Sequence, residues 1–189
     1  MFQTPCVILC GGKSSRMGEN KALLPFNNEK TLIEFQYKKL KKIFSNVYIN
    51  AKDETIFDFD FEFIKDEKND VFSPANALYS VIKKLKISFF AISVDTPFVD
   101  KDIVEKLIHE SKNGNLTTIA KTADKLHPLC AIYTDEILIP LENMLTNDNH
   151  KLQFLIKQIP HKIVTFEDED RFFNINNKED YKKAKTLYV

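Results

Sequence analysis

The chain has 189 residues, of which 43% are hydrophobic and 16 are Phe, so it can bury the core of one globular domain. Its 27 basic and 27 acidic residues give a net charge of zero, which argues against a protein that coats nucleic acid. No apolar stretch approaches the roughly 18–20 residues of a membrane span, and the three Cys include no C-x-x-C pair. We therefore predict a cytoplasmic protein whose partners include neither a membrane nor nucleic acid.

Strand and helix patterns alternate along the chain. Thr31 and Glu34 have the spacing of a capping box at the start of a helix, and Pro74 opens another helix. Residues 89–94 form a near-continuous apolar run, which is typical of a central parallel strand covered on both faces. The alternation predicts a three-layer α/β fold with a doubly wound, mostly parallel sheet. The predicted strands are 6–10, 47–49, 61–64, 89–94, 116–120, 129–133 and 162–166, and the predicted helices are 31–44, 74–85, 100–114, 135–145, 151–159 and 178–187.

The first predicted helix is rich in lysine. Its apolar positions recur at helical spacing and predict one buried face. The lysines lie between those positions, so we expect them to form a solvent-exposed face rather than a binding patch. These residues are Lys38, Lys39, Lys41 and Lys42.

The segment 11–18 holds three of the four Gly and one of the two Arg, directly after the first predicted strand. Bare backbone N–H groups beside positive charge are what phosphate oxygens need, so the segment predicts a polyphosphate site. An ordinary strand-to-helix turn explains one or two glycines but not Lys13, Arg16 and Lys21 beside them. The spacing excludes both a Walker A loop and the G-x-G-x-x-G dinucleotide fingerprint.

Polar residues follow several of the predicted strands. Asn50, Asp66 and Asp95 come at strand carboxyl ends, where ligands bind in open parallel sheets, so we expect them to line one crevice with the glycine segment. A carboxylate after a buried strand is costly unless it is paired, and Mg²⁺ held with nucleotide phosphates would pair Asp95. The alternative is that Asp95 merely begins a turn.

Residues 9–26, LCGGKSSRMGENKALLPF, closely resemble the signature of nucleotidyltransferases, and in particular that of the molybdenum cofactor guanylyltransferases. Three more segments agree in order and spacing: 94–98 (VDTPF), 127–133 (HPLCAIY) and 173–180 (FNINNKED). The resemblance spans essentially the whole chain. It implies a Rossmann-like nucleotidyltransferase fold in a single domain, 1–189, whose N-terminal half binds nucleotide and whose C-terminal half binds the pterin.

The resemblance also implies an activity. GMP is transferred from GTP to the molybdopterin cofactor with Mg²⁺, which gives the guanine dinucleotide form and pyrophosphate. Its partners are GTP and the molybdopterin cofactor, with cofactor-inserting chaperones or molybdoenzymes downstream. A cytidylyltransferase on the same cofactor, a sugar-phosphate nucleotidyltransferase and a nucleotide-binding module without turnover remain open alternatives.

Residue roles follow from the resemblance position by position. The catalytic residues are Arg16, Lys21 and Asp95, with Asp95 as the Mg²⁺ ligand and Lys21 on the α-phosphate. The backbone of Leu9, Cys10 and Gly11 contacts the guanosine, Gly12, Ser14, Ser15 and Arg16 hold the β- and γ-phosphates, and Asn50 and Asp66 contact the nucleotide. The pterin side has His127, Asn174 and Asn176.

Three departures from the family pattern bear on these roles. Asn20 stands where the family usually has Asp before Lys21, which removes a charge near the metal. Cys10 replaces the usual alanine, which is a small change. The family's G-P-x-x-G turn is Ser-Pro-Ala-Asn-Ala at 73–77, so a side chain at Asn76 puts the base or ribose contact of that turn in question.

Overall fold

The computed structural model describes residues 1–11, 20–68 and 70–187. Seven strands lie in these ranges: β1 (Cys6–Leu9), β2 (Val47–Ala51), β3 (Glu62–Lys65), β4 (Phe89–Ser93), β5 (Thr117–Thr122), β6 (Lys125–Tyr133) and β7 (His161–Phe166). The α-helices in the same ranges are α1 (Leu32–Lys41), α2 (Pro74–Leu85), α3 (Lys101–Lys112), α4 (Leu138–Thr146), α5 (Leu152–Gln158) and α6 (Lys178–Leu187). Short 3-10 helices cover Lys21–Leu23, Asp135–Ile137 and Asp170–Phe172.

The strands form one sheet in the order β3-β2-β1-β4-β6-β5-β7. Strand β6 runs antiparallel to both of its neighbours, and the other described pairs are parallel. The chain proceeds outward from β1 to β2 and β3, and then returns to place β4 on the other side of β1. The predicted doubly wound, mostly parallel sheet is confirmed, and its topological switch point lies between β1 and β4.

Helices cover both faces of the sheet, as the alternation of side chains along β1 requires. Cys6 and Ile8 belong to the core with α1, α3 and α6, whereas Val7 and Leu9 belong to the core with α2, α4 and α5. All four residues are buried, so β1 is a central strand of a three-layer structure.

Local signals start helices α1 and α2 where the sequence predicts. The hydroxyl of Thr31 accepts from the Glu34 N–H at 3.2 Å, which caps α1. The hydroxyl of Ser73 likewise accepts from the Asn76 N–H at 3.1 Å, and Pro74 occupies the first turn of α2. These caps satisfy N–H groups that have no partner inside the helix.

Several predicted bounds differ from the structure by one to four residues, and the differences at β6 and α1 have a clear structural cause. Strand β6 begins at Lys125 rather than 129, because it pairs with β5 across a tight turn in which Ala123 has a φ of 39°. Helix α1 ends at Lys41 rather than near 44, and Phe44 is instead buried against the sheet, stacked on Phe90. Within the described ranges, no helix combines the length and apolarity that crossing a bilayer requires.

Candidate active site

Lys21 and Asp95 form an ion pair at the switch point of the sheet. Lys21 begins the 3-10 helix that follows the glycine segment, and Asp95 follows β4. The Lys21 ammonium also lies 3.5 Å from the carbonyl oxygen of Ile175. Three parts of the chain that are distant in sequence therefore meet at the Lys21 ammonium.

Asn20 has a structural role in this arrangement. Its side-chain oxygen accepts from the Ala22 N–H at 3.1 Å and so caps the 3-10 helix that begins at Lys21. An amide provides this cap as well as a carboxylate does. The departure from the family's Asp thus removes a charge but keeps the turn that presents Lys21.

Asp95 is buried, with its side chain 10% exposed. One carboxylate oxygen, Oδ2, is paired with Lys21, whereas Oδ1 has no hydrogen-bond partner among the described residues. Its backbone carbonyl accepts from the Ile175 N–H at 2.9 Å, which fixes the C-terminal segment beside it. A buried carboxylate oxygen without a donor is costly, so the site suits a cation or a ligand donor.

A cavity of about 210 Å³ extends from Asp95 into the C-terminal half of the chain. Its lining includes His127 and Asn174, two of the residues predicted on the pterin side. The side-chain Oδ1 of Asn174 is also buried without a partner among the described residues. Among the described residues, Asp95 and Asn174 thus each bring an unpaired side-chain oxygen to the lining of one cavity. No group of three or more His, Cys, Asp or Glu suited to a metal ion occurs in the described ranges.

His127 is held in its neutral form. Its Nε2 lies 2.7 Å from the Thr122 hydroxyl, and its ring stacks on Phe172 with centroids 4.6 Å apart. Burial, with Lys125 as a smaller cause, lowers the pKa of His127 to about 4. A neutral imidazole at physiological pH provides a flat, uncharged surface on the cavity wall.

Asn176 lies apart from the residues named as lining the cavity. Its side chain is exposed, and its backbone N–H donates to the Asp180 carboxylate at 3.0 Å near the start of α6. The structure thus brings together His127, Asn174 and Asp95 but does not bring Asn176 to the same wall.

Asn50 and Asp66 meet at the carboxyl ends of β2 and β3. The Asn50 amide donates to the Asp66 carboxylate at 3.0 Å and to the Ile64 carbonyl at 2.9 Å. Burial raises the pKa of Asp66, while the Asn50 hydrogen bond and Lys52 act in the opposite direction. The Asn50 Oδ1 atom has no partner among the described residues, so an unused acceptor remains there.

Backbone groups at the end of β1 are hydrogen-bonded to the chain on both sides of this strand. The Leu9 carbonyl accepts from the Val94 N–H at 3.2 Å, and the Cys10 N–H donates to the Asn50 carbonyl at 2.9 Å. A nucleoside bound at residues 9–11 would therefore contact the backbone groups that these two hydrogen bonds leave unused. A Cβ added to Gly11 would meet no atom of the described residues within 4 Å.

The Cys10 thiol is close enough to the carboxylates of Asp95 and Asp66 for both to influence it. Burial, with Asp95 and Asp66 as further causes, raises the pKa of the Cys10 thiol well above its usual range. The thiol therefore stays protonated and does not serve as a nucleophile.

Four predicted phosphate-binding residues, Gly12, Ser14, Ser15 and Arg16, lie outside the described residues.

The side chain of Asn76 is turned towards the loop that precedes α2. Its amide donates to the Lys68 carbonyl at 3.0 Å and to the Val71 carbonyl at 3.2 Å. The side chain thus closes this loop on itself. The glycine-rich turn of the family is replaced by a turn held through a side-chain amide.

Two residues of α1 contact the Asp95 segment and were not predicted. Gln36 is fully buried and donates to the Thr96 carbonyl at 3.1 Å, and Lys39 donates to the Pro97 carbonyl at 2.6 Å. The expectation that Lys39 belongs to a solvent-exposed face is wrong, because its ammonium donates to the Pro97 and Val99 carbonyls. The available signal was Gln36 itself, a polar residue between Leu32 and Leu40 on the buried stripe.

Comparison with known proteins places this geometry in a family. Residues 6–163, well over half of the chain, match the family described as the MobA-like NTP transferase domain. The chain belongs to the MobA-like NTP transferases. The Lys21–Asp95 pair therefore lies at the switch point of a MobA-like domain, and the Asn50–Asp66 pair lies at the ends of the neighbouring strands β2 and β3.

Relatives of this MobA-like chain cover nearly its whole length. A molybdenum cofactor guanylyltransferase from Campylobacter jejuni subsp. doylei is 42% identical over 183 residues, which cover 96% of this chain and 95% of that protein. A protein of the same name from Helicobacter pylori is 32% identical over 186 residues, which cover 95% and 90% respectively. Molybdopterin-guanine dinucleotide biosynthesis protein A from Archaeoglobus fulgidus has a TM-score of 0.85 at 22% identity, covering 97% of this chain and 98% of that one, and this likeness shows the fold.

Proposed function

We propose that this MobA-like protein transfers GMP from GTP to the molybdopterin cofactor and releases pyrophosphate. The observation that carries the proposal is the juxtaposition of Lys21, Asp95 and the cavity lined by His127 and Asn174. The relatives named molybdenum cofactor guanylyltransferase, at 42% and 32% identity, support the choice of substrates.

The proposed reaction joins two polyanions. An oxygen of the pterin's terminal phosphate attacks the α-phosphorus of GTP, and the bond between the α-phosphorus and the bridging oxygen to the β-phosphorus breaks. A phosphomonoester has a second pKa of about 6, so the attacking group is already mostly anionic at neutral pH and needs no dedicated base. The task of the site is to hold both anions and to offset the charge of the leaving pyrophosphate.

The residues have separate roles in this proposal. Lys21 binds the α-phosphate, and Arg16, with the backbone and hydroxyl groups of Gly12, Ser14 and Ser15, binds the β- and γ-phosphates. Asn50 and Asp66 bind the nucleoside through the unused Asn50 oxygen and the Asp66 carboxylate. The N-terminal half of the chain is thus the nucleotide half.

Mg²⁺ fits the acceptors around the cavity. The unpaired Oδ1 atoms of Asp95 and Asn174 are hard oxygen ligands, which Mg²⁺ prefers, and the nucleotide phosphates would complete its shell. When bound, the ion offsets phosphate charge and orients the triphosphate. With the ion held at Asp95, Lys21 would bind the α-phosphate instead of the carboxylate.

The C-terminal half is the pterin half in this proposal. His127, neutral and stacked on Phe172, lines a cavity of about 210 Å³ together with Asn174. A flat ring system with amide-like edges suits a wall made of an imidazole and an asparagine amide. Asn176, whose side chain is exposed near the start of α6, stays a proposed cofactor contact outside this wall.

A pyrophosphate-release assay tests the proposal. The protein is incubated with molybdopterin cofactor and either Mg-GTP or Mg-CTP, with cofactor-free mixtures and a sugar phosphate acceptor as controls. We expect pyrophosphate with GTP and the molybdopterin cofactor together. Turnover confined to CTP contradicts the guanine assignment, turnover with the sugar phosphate contradicts the pterin assignment, and nucleotide binding without pyrophosphate indicates a non-catalytic module. Transfer of the product to chaperones or molybdoenzymes stays a prediction.

A further inference from the structure

The segment that carries Asp95 has few hydrogen bonds of its own. It connects β4 to α3 over residues 94–100 and contains neither helix nor strand. The Thr96 N–H and hydroxyl both bond to the Ser93 carbonyl, at 3.2 and 2.8 Å, which makes a single turn. The carbonyl groups further along the segment are bound by side chains from another element, helix α1.

Gln36 contacts the first part of the segment. Its Nε2 donates to the Thr96 carbonyl at 3.1 Å and lies 3.4 and 3.5 Å from the Ser93 and Val94 carbonyls. Gln36 is fully buried, and its Oε1 has no partner among the described residues. An apolar residue would continue the buried stripe of α1 without the cost of an unpaired oxygen. The contribution of the amide at this position is therefore its hydrogen bonding to the carbonyls.

Lys39 contacts the second part of the segment. Its ammonium donates to the Pro97 carbonyl at 2.6 Å and to the Val99 carbonyl at 2.7 Å. Residues 36 and 39 are three apart on a helix and so lie on one face, which places both donors over the same stretch of backbone. Burial lowers the pKa of Lys39 to about 8, and this supports the close fit of the ammonium among the carbonyls.

We propose that Gln36 and Lys39 are positioning residues that hold the Asp95 segment in the geometry required for metal binding and GMP transfer. The inference rests on the proposed function, since it assigns Asp95 its part in that reaction. Both residues act through the backbone: Gln36 contacts carbonyls on both sides of Asp95, and Lys39 contacts carbonyls that follow it. Their donors bracket the carboxylate in sequence, from Ser93 to Val99.

The physical basis is that the reaction tolerates little displacement of Asp95. A group that binds a metal ion and a triphosphate must be held to within a fraction of an ångström, and outer contacts provide that precision. An irregular segment without its carbonyl partners samples more conformations. Asp95 would then remain present but be correctly placed for a smaller fraction of the time.

Two variants and one matched control test the proposal. Lys39→Met and Gln36→Met remove the donors and keep an unbranched side chain of similar length. Lys42→Met is the control, because it makes the same change at an exposed position next to the end of α1. Amide hydrogen exchange of residues 93–99 is measured without nucleotide or metal, Mn²⁺ binding is measured by electron paramagnetic resonance with GTP present, and kcat and KM are measured by pyrophosphate release.

We expect faster exchange in residues 93–99 for both variants and wild-type exchange for Lys42→Met. We also expect Mn²⁺ affinity roughly tenfold weaker and kcat about 10- to 100-fold lower, with the KM for GTP within about threefold of wild type. If the two residues had only a structural role, their substitution would lower the melting temperature without this split between kcat and KM.

Wild-type exchange in both variants overturns the proposal, and so does faster exchange with unchanged kcat and Mn²⁺ affinity. If Lys39→Met does not fold, Gln36→Met decides, since it introduces no change of charge. Absence of pyrophosphate release from the wild-type protein refutes the proposed function instead. The exchange measurement then still decides whether the two residues hold the segment.

Discussion

The ammonium of Lys21 is bound to the carboxylate of Asp95, although 74 residues separate them in sequence. Lys21 presents its charge from the 3-10 helix Lys21–Leu23, and Asp95 comes from the end of β4. The pair neutralises two charges that would each be costly in a site where both side chains are largely buried. In the proposed reaction both groups take new partners.

The first prediction concerns the strength of the Lys21–Asp95 pair. Because both side chains are largely buried, Lys21→Met should destabilise the protein by about 1–3 kcal/mol, since it leaves Asp95 without a counter-charge. The double variant Lys21→Met/Asp95→Asn should be less destabilised than the sum of the single variants. Urea unfolding of all four proteins gives the coupling energy.

The Lys30–Asp58 pair is the matched control for that cycle. Its atoms are 3.6 Å apart, and its side chains are 77% and 98% exposed. An exposed pair of this kind should show a coupling energy near zero. Equal coupling in the two cycles would contradict the special position of Lys21 and Asp95.

The second prediction concerns Arg16. Arg16→Ala should weaken GTP binding by about 1.5–3 kcal/mol, the size of a charge-assisted hydrogen bond to phosphate. Guanosine has no phosphate, so its weaker binding should stay unchanged. Isothermal titration calorimetry with both ligands checks this, and a loss of guanosine affinity as large as that of GTP would move Arg16 away from the phosphates.

The third prediction concerns the Asn50–Asp66 contact. Asn50→Asp would place a second carboxylate within 3.0 Å of Asp66, where the wild-type amide donates a hydrogen bond. Two carboxylates at that distance cannot both ionise freely, so the variant should lose stability at pH 8 and recover part of it at pH 5. The KM for GTP should rise about tenfold or more, because the Asn50 oxygen and Asp66 are both altered.

Asn28→Asp makes the same chemical change at an exposed position and is the control. It should leave both the KM and the pH dependence of stability as they are in the wild-type protein. A normal KM for GTP in Asn50→Asp would remove this pair from the nucleotide site.

The fourth prediction is a loss of stability in acid that depends on His127. The pKa of His127 is about 4 in the folded protein and about 6.5 for an ordinary histidine, so the unfolded state binds more protons between these values. Stability should therefore be fully present above pH 6.5 and fall as the pH decreases to 4, by about 3 kcal/mol from this residue.

Thermal unfolding between pH 7 and pH 4 checks the His127 prediction. His127→Gln should reduce the loss, since glutamine does not titrate. His109→Gln, whose side chain is 71% exposed, should follow the wild-type curve. The same acid loss in His127→Gln as in the wild-type protein would contradict the prediction.

The sequence predicted the elements of the fold well, because strong local signals agree with the packing. The capping box at Thr31 and the apolar run 89–94 both correspond to elements at those positions. The reversed direction of β6 was not predictable from its own residues, since an apolar run reads the same way in either direction. It depends on the tight turn at Ala123, which is not a typical turn residue.

The site was predictable where strand ends carry polar residues, and less so where helices contribute from the side. Asn50 and Asp95 lie at the ends of the buried strands β2 and β4, and Asp66 directly follows β3, of whose residues only Ile64 is buried. These strand-end positions are visible in the sequence. Lys39 looked like its neighbours on α1, since only its contact with distant carbonyls distinguishes it from an exposed lysine. The stacking of His127 on Phe172 also joins residues far apart in sequence, and no local pattern indicates it.

The most direct test of a triphosphate site anchored at Asp95 is a crystal structure of the protein grown with GTP and Mn²⁺, with the metal located by its anomalous scattering. We expect the ion at about 2.1 Å from an Asp95 carboxylate oxygen, with Lys21 moved onto the α-phosphate. A fully occupied Mn²⁺ and GTP on another face of the molecule, with the Lys21–Asp95 pair intact, would contradict the account.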